Sequence, residues 1–262
     1  MTLAARIEGV GVVGPGLAGW TAARSILAGE APYEPKATVM PSPEVLPPTE
    51  RRRAGKCVRL ALAAGLEAAA AAGREARTLG AIFTSSTGDG ENMHAICEAL
   101  ASDDRLISPT RFHNSVHNAP AGYWGIATGA MGATDSIAAF DASFGAGLLE
   151  AMGRLAQRPS EPVLLVAYEA PYPEPLHATR PIADSFAVAL VLAADGAAGT
   201  PITFSTTADA ADRMHAPALE KLRSGIPAAR ALPLLQRLAQ GQPGRVVLEY
   251  LDDLSLAVEV GR

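Results

Sequence analysis

SIAAFDASFGAGLLEAM, residues Ser136 to Met152, reads as a short apolar strand through Phe140, an abrupt turn and then a helix. Asp141 or Ser143 is placed to cap that helix, since either side chain can accept a bond from the first free backbone N–H groups. The corner sets Asp141 at the positive end of a helix dipole. Corners of this type suit nucleophiles, because the dipole lowers a thiol's pKa and the turn exposes it. Here the side chain on offer is a carboxylate.

Upstream of the corner lies SPTRFHNSVHNAPAGYWGIATG, Ser108 to Gly129, in which Asn114 or Ser115 can cap a helix running to about Ala127. His113 and His117 are four apart, a spacing that can put two imidazoles on one helical face for a metal. No third ligand with motif spacing follows and His113 falls before the helix, so structural histidines are the preferred reading and no metal is assigned. Further upstream, LGAIFTS (Leu79 to Ser85) is a buried strand, and the loop STGDGEN (Ser86 to Asn92) lacks the lysine of a phosphate-binding loop. Met93 to Leu100 reads as a helix carrying Cys97 as a buried thiol. Thr49 caps a long helix through Ala72, with Cys57, Leu60, Ala61 and Ala64 on one stripe. Pro32 to Pro48 is a proline-rich excursion. At the start, Arg6 to Val13 is a strand running into Gly14-Pro15-Gly16. Gly9, Gly11 and Gly14 match GxGxxG, yet Pro15 and Gly16 stand where a helix should begin and no acidic residue closes a second strand about 20 residues on. Close backbone packing is the better account of these glycines, and no cofactor is assigned.

Downstream, VLLVAY (Val163 to Tyr168) is a continuous apolar run of the kind buried on both faces of a sheet. Glu169 to Arg180 is a proline-rich loop and SFAVALVLAA (Ser185 to Ala194) another central strand. Thr200 to Asp209 is a strand, Leu219 to Gln240 holds helical pieces broken at Pro227 and Pro233, and Arg245 to Val260 forms two strands around Asp252-Asp253. Strands alternating with helices give an α/β fold with a mixed sheet, its later strands antiparallel.

At 262 residues, 48% hydrophobic and 19% charged, the chain is globular and long enough to bury a full core. A net charge of −5 without a basic stripe argues against nucleic acid, and Arg51, Arg52 and Arg53 read as a solvated first helical turn. Two cysteines cannot form a disulfide framework and suit a reducing cytosol. There is no signal-peptide pattern and no window of about 20 apolar residues, so a cytoplasmic protein without a membrane span is expected.

The order of ARIEGVGVVGPGLAGW, SPTRFHNSVHNAPAGYWGIATG, DASFGAGLLEA and FAVALVLA resembles that of β-ketoacyl synthases. Among them it is most similar to the short β-ketoacyl synthase-like N-terminal domain proteins of aryl-polyene and related pigment-type polyketide pathways, also called chain-length-factor-like. The resemblance spans roughly Arg6 to Ala194. It implies a thiolase-like half, a mixed β-sheet layered with α-helices, with the helix after the corner buried between layers. Residues 1–197 would be the β-ketoacyl synthase-like N-terminal domain, and residues 198–262 a short extension completing it.

In condensing enzymes the corner carries Thr-Ala-Cys-x-Ser, whose cysteine holds the acyl group. Laying FDAS on that motif puts Asp141 in the cysteine's place, and the HGT and GHxxG-like histidine motifs of a second half are absent. A carboxylate forms no exchangeable thioester and opposes a malonyl carboxylate. The resemblance therefore implies a non-condensing subunit, a pseudoenzyme acting in polyketide or fatty-acid-type biosynthesis. Its partners would be a ketosynthase or an acyl carrier protein, with a homodimer through the sheet edge as a further assembly. The alternative is an acyltransferase or thioester hydrolase using Ser143, with His113 or His117 as base and Asp141 as orienter.

Overall fold

The computed structural model describes residues 2–194 and 198–262. The expected domain boundary at Ala197 falls outside them. The chain opens with β1 (Leu3–Gly14), which turns back through β2 (Leu17–Ala18) into α1 (Trp20–Ala28). Then come α2 (Pro48–Arg53), α3 (Lys56–Ala71), β3 (Gly80–Thr84), α4 (Gly90–Ala101), α5 (Pro109–His113), α6 (Ala119–Thr128) and β4 (Thr134–Ile137). After the corner follow α7 (Ser143–Gln157), β5 (Val163–Glu169), α8 (Leu176–Thr179), β6 (Phe186–Ala193) and β7 (Thr200–Thr207). The chain closes with α9 (Pro217–Gly225), α10 (Leu232–Gln240), β8 (Gly244–Leu251) and β9 (Leu254–Val260).

These strands form one mixed sheet in the order β4-β3-β5-β6-β1-β7-β9-β8, with β2 beside β1. β3 runs parallel to β4 and β5, and the remaining pairings are antiparallel. The runs read as doubly buried strands are β5 and β6, every residue of which is buried. One face of the sheet packs on α3 and α6, the other on α1, α7, α9 and α10. Gly9 and Gly11 let α3 lie directly on β1: a Cβ at either would collide with the carbonyls of Ala68 and Ala64. The glycine motif thus serves helix–strand packing.

The helix after the corner is the centre of the second face. Phe144, Leu148, Ala151, Met152 and Leu155 are buried along α7, each large side chain contributing about 1.5–3 kcal/mol. Gly145 faces the closing hairpin, where a Cβ would meet Tyr250 at 2.8 Å, and Gly147 faces the parallel strands, where it would meet Leu165 at 2.7 Å. No helix among the described residues is long and apolar enough to cross a membrane.

Several local expectations are corrected. The helix expected from Thr49 to Ala72 is two helices, α2 and α3, parted at Ala54 and Gly55; Gly55 in extended conformation is the N-cap and Thr49 caps nothing. α1 was not expected, because Pro15 and Gly16 sit in the β1–β2 turn and the helix starts only after Gly19, whose φ is 89°. α4 begins three residues early because Asp89 caps it by accepting from Asn92 N–H. Cys57 is buried, whereas Cys97 is exposed: Ile96 takes the inward face of α4 and its neighbour turns outward.

Candidate functional site

The site lies where β3, β4 and β5 end, the end of a parallel sheet at which ligands gather. β4 stops at Ile137, earlier than the expected Phe140, and a 3₁₀ turn over Phe140–Ala142 leads into α7. Phe140 adopts φ = +50°, a conformation that costs a non-glycine residue energy and is held by its surroundings. Neither proposed cap acts as one. Ser143 Oγ donates to Phe140 O (2.6 Å) and accepts from Ala139 N–H (3.0 Å), pinning the turn backwards, while Thr84 Oγ1 donates to Ser143 O (2.8 Å). Its hydroxyl is thus engaged on both sides and its residue is buried.

Asp141 turns away from the helix into two guanidinium groups. Arg180, just past α8, donates to Oδ1 at 2.5 Å, and Arg230 lies 3.1 Å from Oδ2 and donates to the Asp141 carbonyl at 3.0 Å. Arg180 also sits over the Phe140 ring, its guanidinium carbon 3.8 Å from the ring centroid, a cation–π contact that favours the positive charge. Beyond Arg230 the alternation of charge continues through Glu249, Arg223 and Glu220 on α9. These pairs lower Glu220 to about 2: the hydrogen bonds from Arg223 dominate, partly offset by desolvation. Asp141 is therefore a fixed counter-ion holding the corner to the C-terminal segment.

The two histidines do not share a helical face. His113 ends α5 and is exposed, and a turn separates it from His117, whose Nε2 lies 3.2 Å from Ser85 O. Neither is bonded to Asp141 or Ser143. Among the described residues no group of three or more His, Cys, Asp or Glu is placed to hold a metal. Asn114, expected as a cap, instead donates to Arg53 O and accepts from Tyr123.

One functional candidate escaped sequence reasoning. Glu169, the last residue of β5, is 1% exposed. Its carboxylate accepts from Ser86 N–H (2.6 Å) and Ser86 Oγ (2.9 Å), with Ser85 Oγ at 3.5 Å. Burial pushes its pKa up to about 7, against the pull of the Ser86 bonds and Arg180, with Asp141 adding to the rise. An acidic residue closing an otherwise apolar run is the signal, hidden because the same residue also opens the proline-rich segment that follows.

The model of the β-ketoacyl synthase N-terminal domain matches residues 26–247. The chain belongs to this family. Among solved structures it is similar to a chain of the ketosynthase ApeO in complex with its chain length factor ApeC from Xenorhabdus doucetiae, at 24% identity and a TM-score of 0.74, covering 98% of this chain and 99% of that one. It is also similar to the ishigamide ketosynthase/chain length factor, at 16% identity and a TM-score of 0.72 over 98% and 99% of the two chains. A third is AntDE:AntF, a type II polyketide synthase acyl carrier protein in complex with its ketosynthase bound to the hexaketide, at 12% identity and a TM-score of 0.76 over 100% and 99%. No match was found among curated proteins. These likenesses establish the thiolase-like ketosynthase fold.

Proposed function

We propose that this β-ketoacyl synthase-like chain is a non-condensing subunit that works in the cytoplasm beside a partner ketosynthase and an acyl carrier protein. The pathway we infer is aryl-polyene or related polyketide biosynthesis. The observation that carries this reading is Asp141: at the position matching the acyl-bearing cysteine stands a carboxylate gripped by Arg180 and Arg230. A group so paired neither attacks a thioester nor tolerates a second carboxylate beside it.

Other features support partnership. β4 is the edge of the sheet, pairing with β3 alone among the described strands, and Met131 and Ile126 stand exposed near it. Such an edge offers unpaired backbone groups to another chain. On a different face a groove of about 370 Å3 is lined by Arg52, Arg53, Lys56, Arg59 and Arg111 against Asp89 and Glu91, with Lys56 paired to Glu91; its surplus of cations suits a carrier of acidic character. The domain assignment is part of the same reading: residues 198–262 complete the domain, since β7, β8 and β9 extend the sheet and their hairpin covers α7.

The test is co-expression of the tagged chain with a polyketide-type ketosynthase and its acyl carrier protein, followed by size-exclusion chromatography. A stoichiometric complex with the ketosynthase, lost when Ile137→Pro breaks the β4 edge, is the expected result. A chain that stays apart from both proteins contradicts the reading.

A further inference from the structure

The amino ends of two helices meet beside the turn that follows β3. Asp89 caps α4, its Oδ1 accepting from Asn92 N–H at 2.9 Å. Its other oxygen lies against the start of α3, where a Cβ built on Gly55 would come 2.7 Å from Asp89 Oδ2. α3 runs for 16 residues from Gly55 as N-cap, with no side chain bonded to its free N–H groups. Its second and third residues, Cys57 and Val58, carry the N–H groups that a capping oxygen satisfies in other helices.

A hollow of about 10 Å3 lies at this junction, and Cys57, Val58, Gly88, Asp89, His117 and Tyr168 are among the residues that line it. Tyr168, on β5, is 0% exposed, and its hydroxyl makes no hydrogen bond to any described residue. Burial, with Cys57 and Asp89 beside it, holds the phenol proton on, so the hydroxyl stays a neutral donor. Other polar side chains of the lining are engaged elsewhere. The Cys57 thiol donates to Gly88 O at 3.6 Å, Asn114 bonds Arg53 O and Tyr123, and His117 Nε2 lies 3.2 Å from Ser85 O. Folded proteins leave few buried polar groups unpaired, so Tyr168 calls for a partner from outside the chain.

We propose that the hollow is a binding site for one ordered water, which accepts from the Cys57 or Val58 N–H and from the Tyr168 hydroxyl and donates to Asp89 Oδ2. The size fits a single molecule, since a water needs roughly 10–15 Å3 of accessible space and about two to four polar partners. The described lining has a carboxylate and neither lysine nor arginine. An anion drawn to the helix end would therefore face Asp89 across the hollow, whereas a water donates to it. The water is then the N-cap of α3, tying that helix to the head of α4 and to β5. Gly55, Asp89 and Asn114 border both this hollow and the basic groove, so the water also holds Asp89 at the groove's inner wall. The site stands whether or not that groove receives a carrier.

The experiment is a high-resolution crystal structure of the full chain, repeated on crystals soaked in bromide. The expected result is one water within hydrogen-bonding distance of Tyr168 Oη and of Asp89 Oδ2 or an α3 N–H, with no bromide in its place. A dry hollow overturns the proposal, as does a Tyr168 hydroxyl turned onto a protein atom or a bromide peak at the helix end. In solution, water–amide NOE spectra should show a long-lived water beside the Cys57 and Val58 amides. Those cross-peaks should persist in Tyr168→Phe, which removes any relay through the hydroxyl proton and leaves the water its Asp89 and α3 partners. Cross-peaks absent from the wild type, or lost in Tyr168→Phe, contradict the proposal.

Discussion

Replacing Asp141 by cysteine puts a thiol at the corner, and the structure sets what that thiol should be. The carboxylate oxygens lie 2.5 Å from Arg180 Nη2 and 3.1 Å from Arg230 Nη2, and α7 begins two residues later. A sulfur in their place sits within reach of both cations and the helix amino end. An opposite charge at such range lowers an acid's pKa by about 1–3 units, so a thiol that starts near 8.5 should fall to about 5.5–7.5. The assay is the pH dependence of iodoacetamide labelling in an Asp141→Cys, Cys97→Ser chain, since Cys97 is exposed while Cys57 is buried and pushed up by burial. Adding Arg180→Ala should raise the midpoint by about one unit. A midpoint at or above 8.5 refutes the claim that the two arginines converge on this side-chain position. Because Asp141 retains 34% of its side-chain exposure, losing the carboxylate should destabilise the chain by about 1–2 kcal/mol, a value discounted for solvent screening.

Glu169 and the packing of α7 give further expected outcomes. A carboxyl whose pKa is raised on folding contributes stability that declines as pH rises from the unfolded value of 4.5 to about 7, by up to about 3 kcal/mol. Denaturant melts of wild type against Glu169→Gln should show that decline removed, and parallel curves would contradict it. Glu220 works in the other direction, its stabilisation present above 4.5 and lost as pH falls toward 2, so an acid titration of Glu220→Gln separates the two. Gly147→Val forces a side chain against Leu165 and Thr84 and should cost at least about 1–3 kcal/mol as overpacking, measured by thermal unfolding.

Much of the fold was legible because buried strands carry their own signature. VLLVAY and FAVALVLA need no partner to be read as central strands, and both are fully buried. Element boundaries were less legible wherever a single residue's conformation decided them, as at Gly55, which parts α2 from α3. The site was legible only by position. Asp141 stood out at the corner, but its partners lie 39 and 89 residues further along, separations that leave no local pattern. The capping reading of Asp141 rested on its nearest free N–H groups, and two charged arginines outcompeted them. Glu169 was obscured for a related reason: an acidic residue at a strand end looks like the start of a loop until the fold buries it.

The most direct measurement of the central claim is the intact mass of the chain after incubation with an acyl-carrier thioester and the partner ketosynthase. The expected result is an unmodified chain of 27.0 kDa while the acyl group moves to the ketosynthase. An acyl adduct on Asp141 or Ser143 would contradict the non-condensing assignment and make this chain an acyl-transfer enzyme.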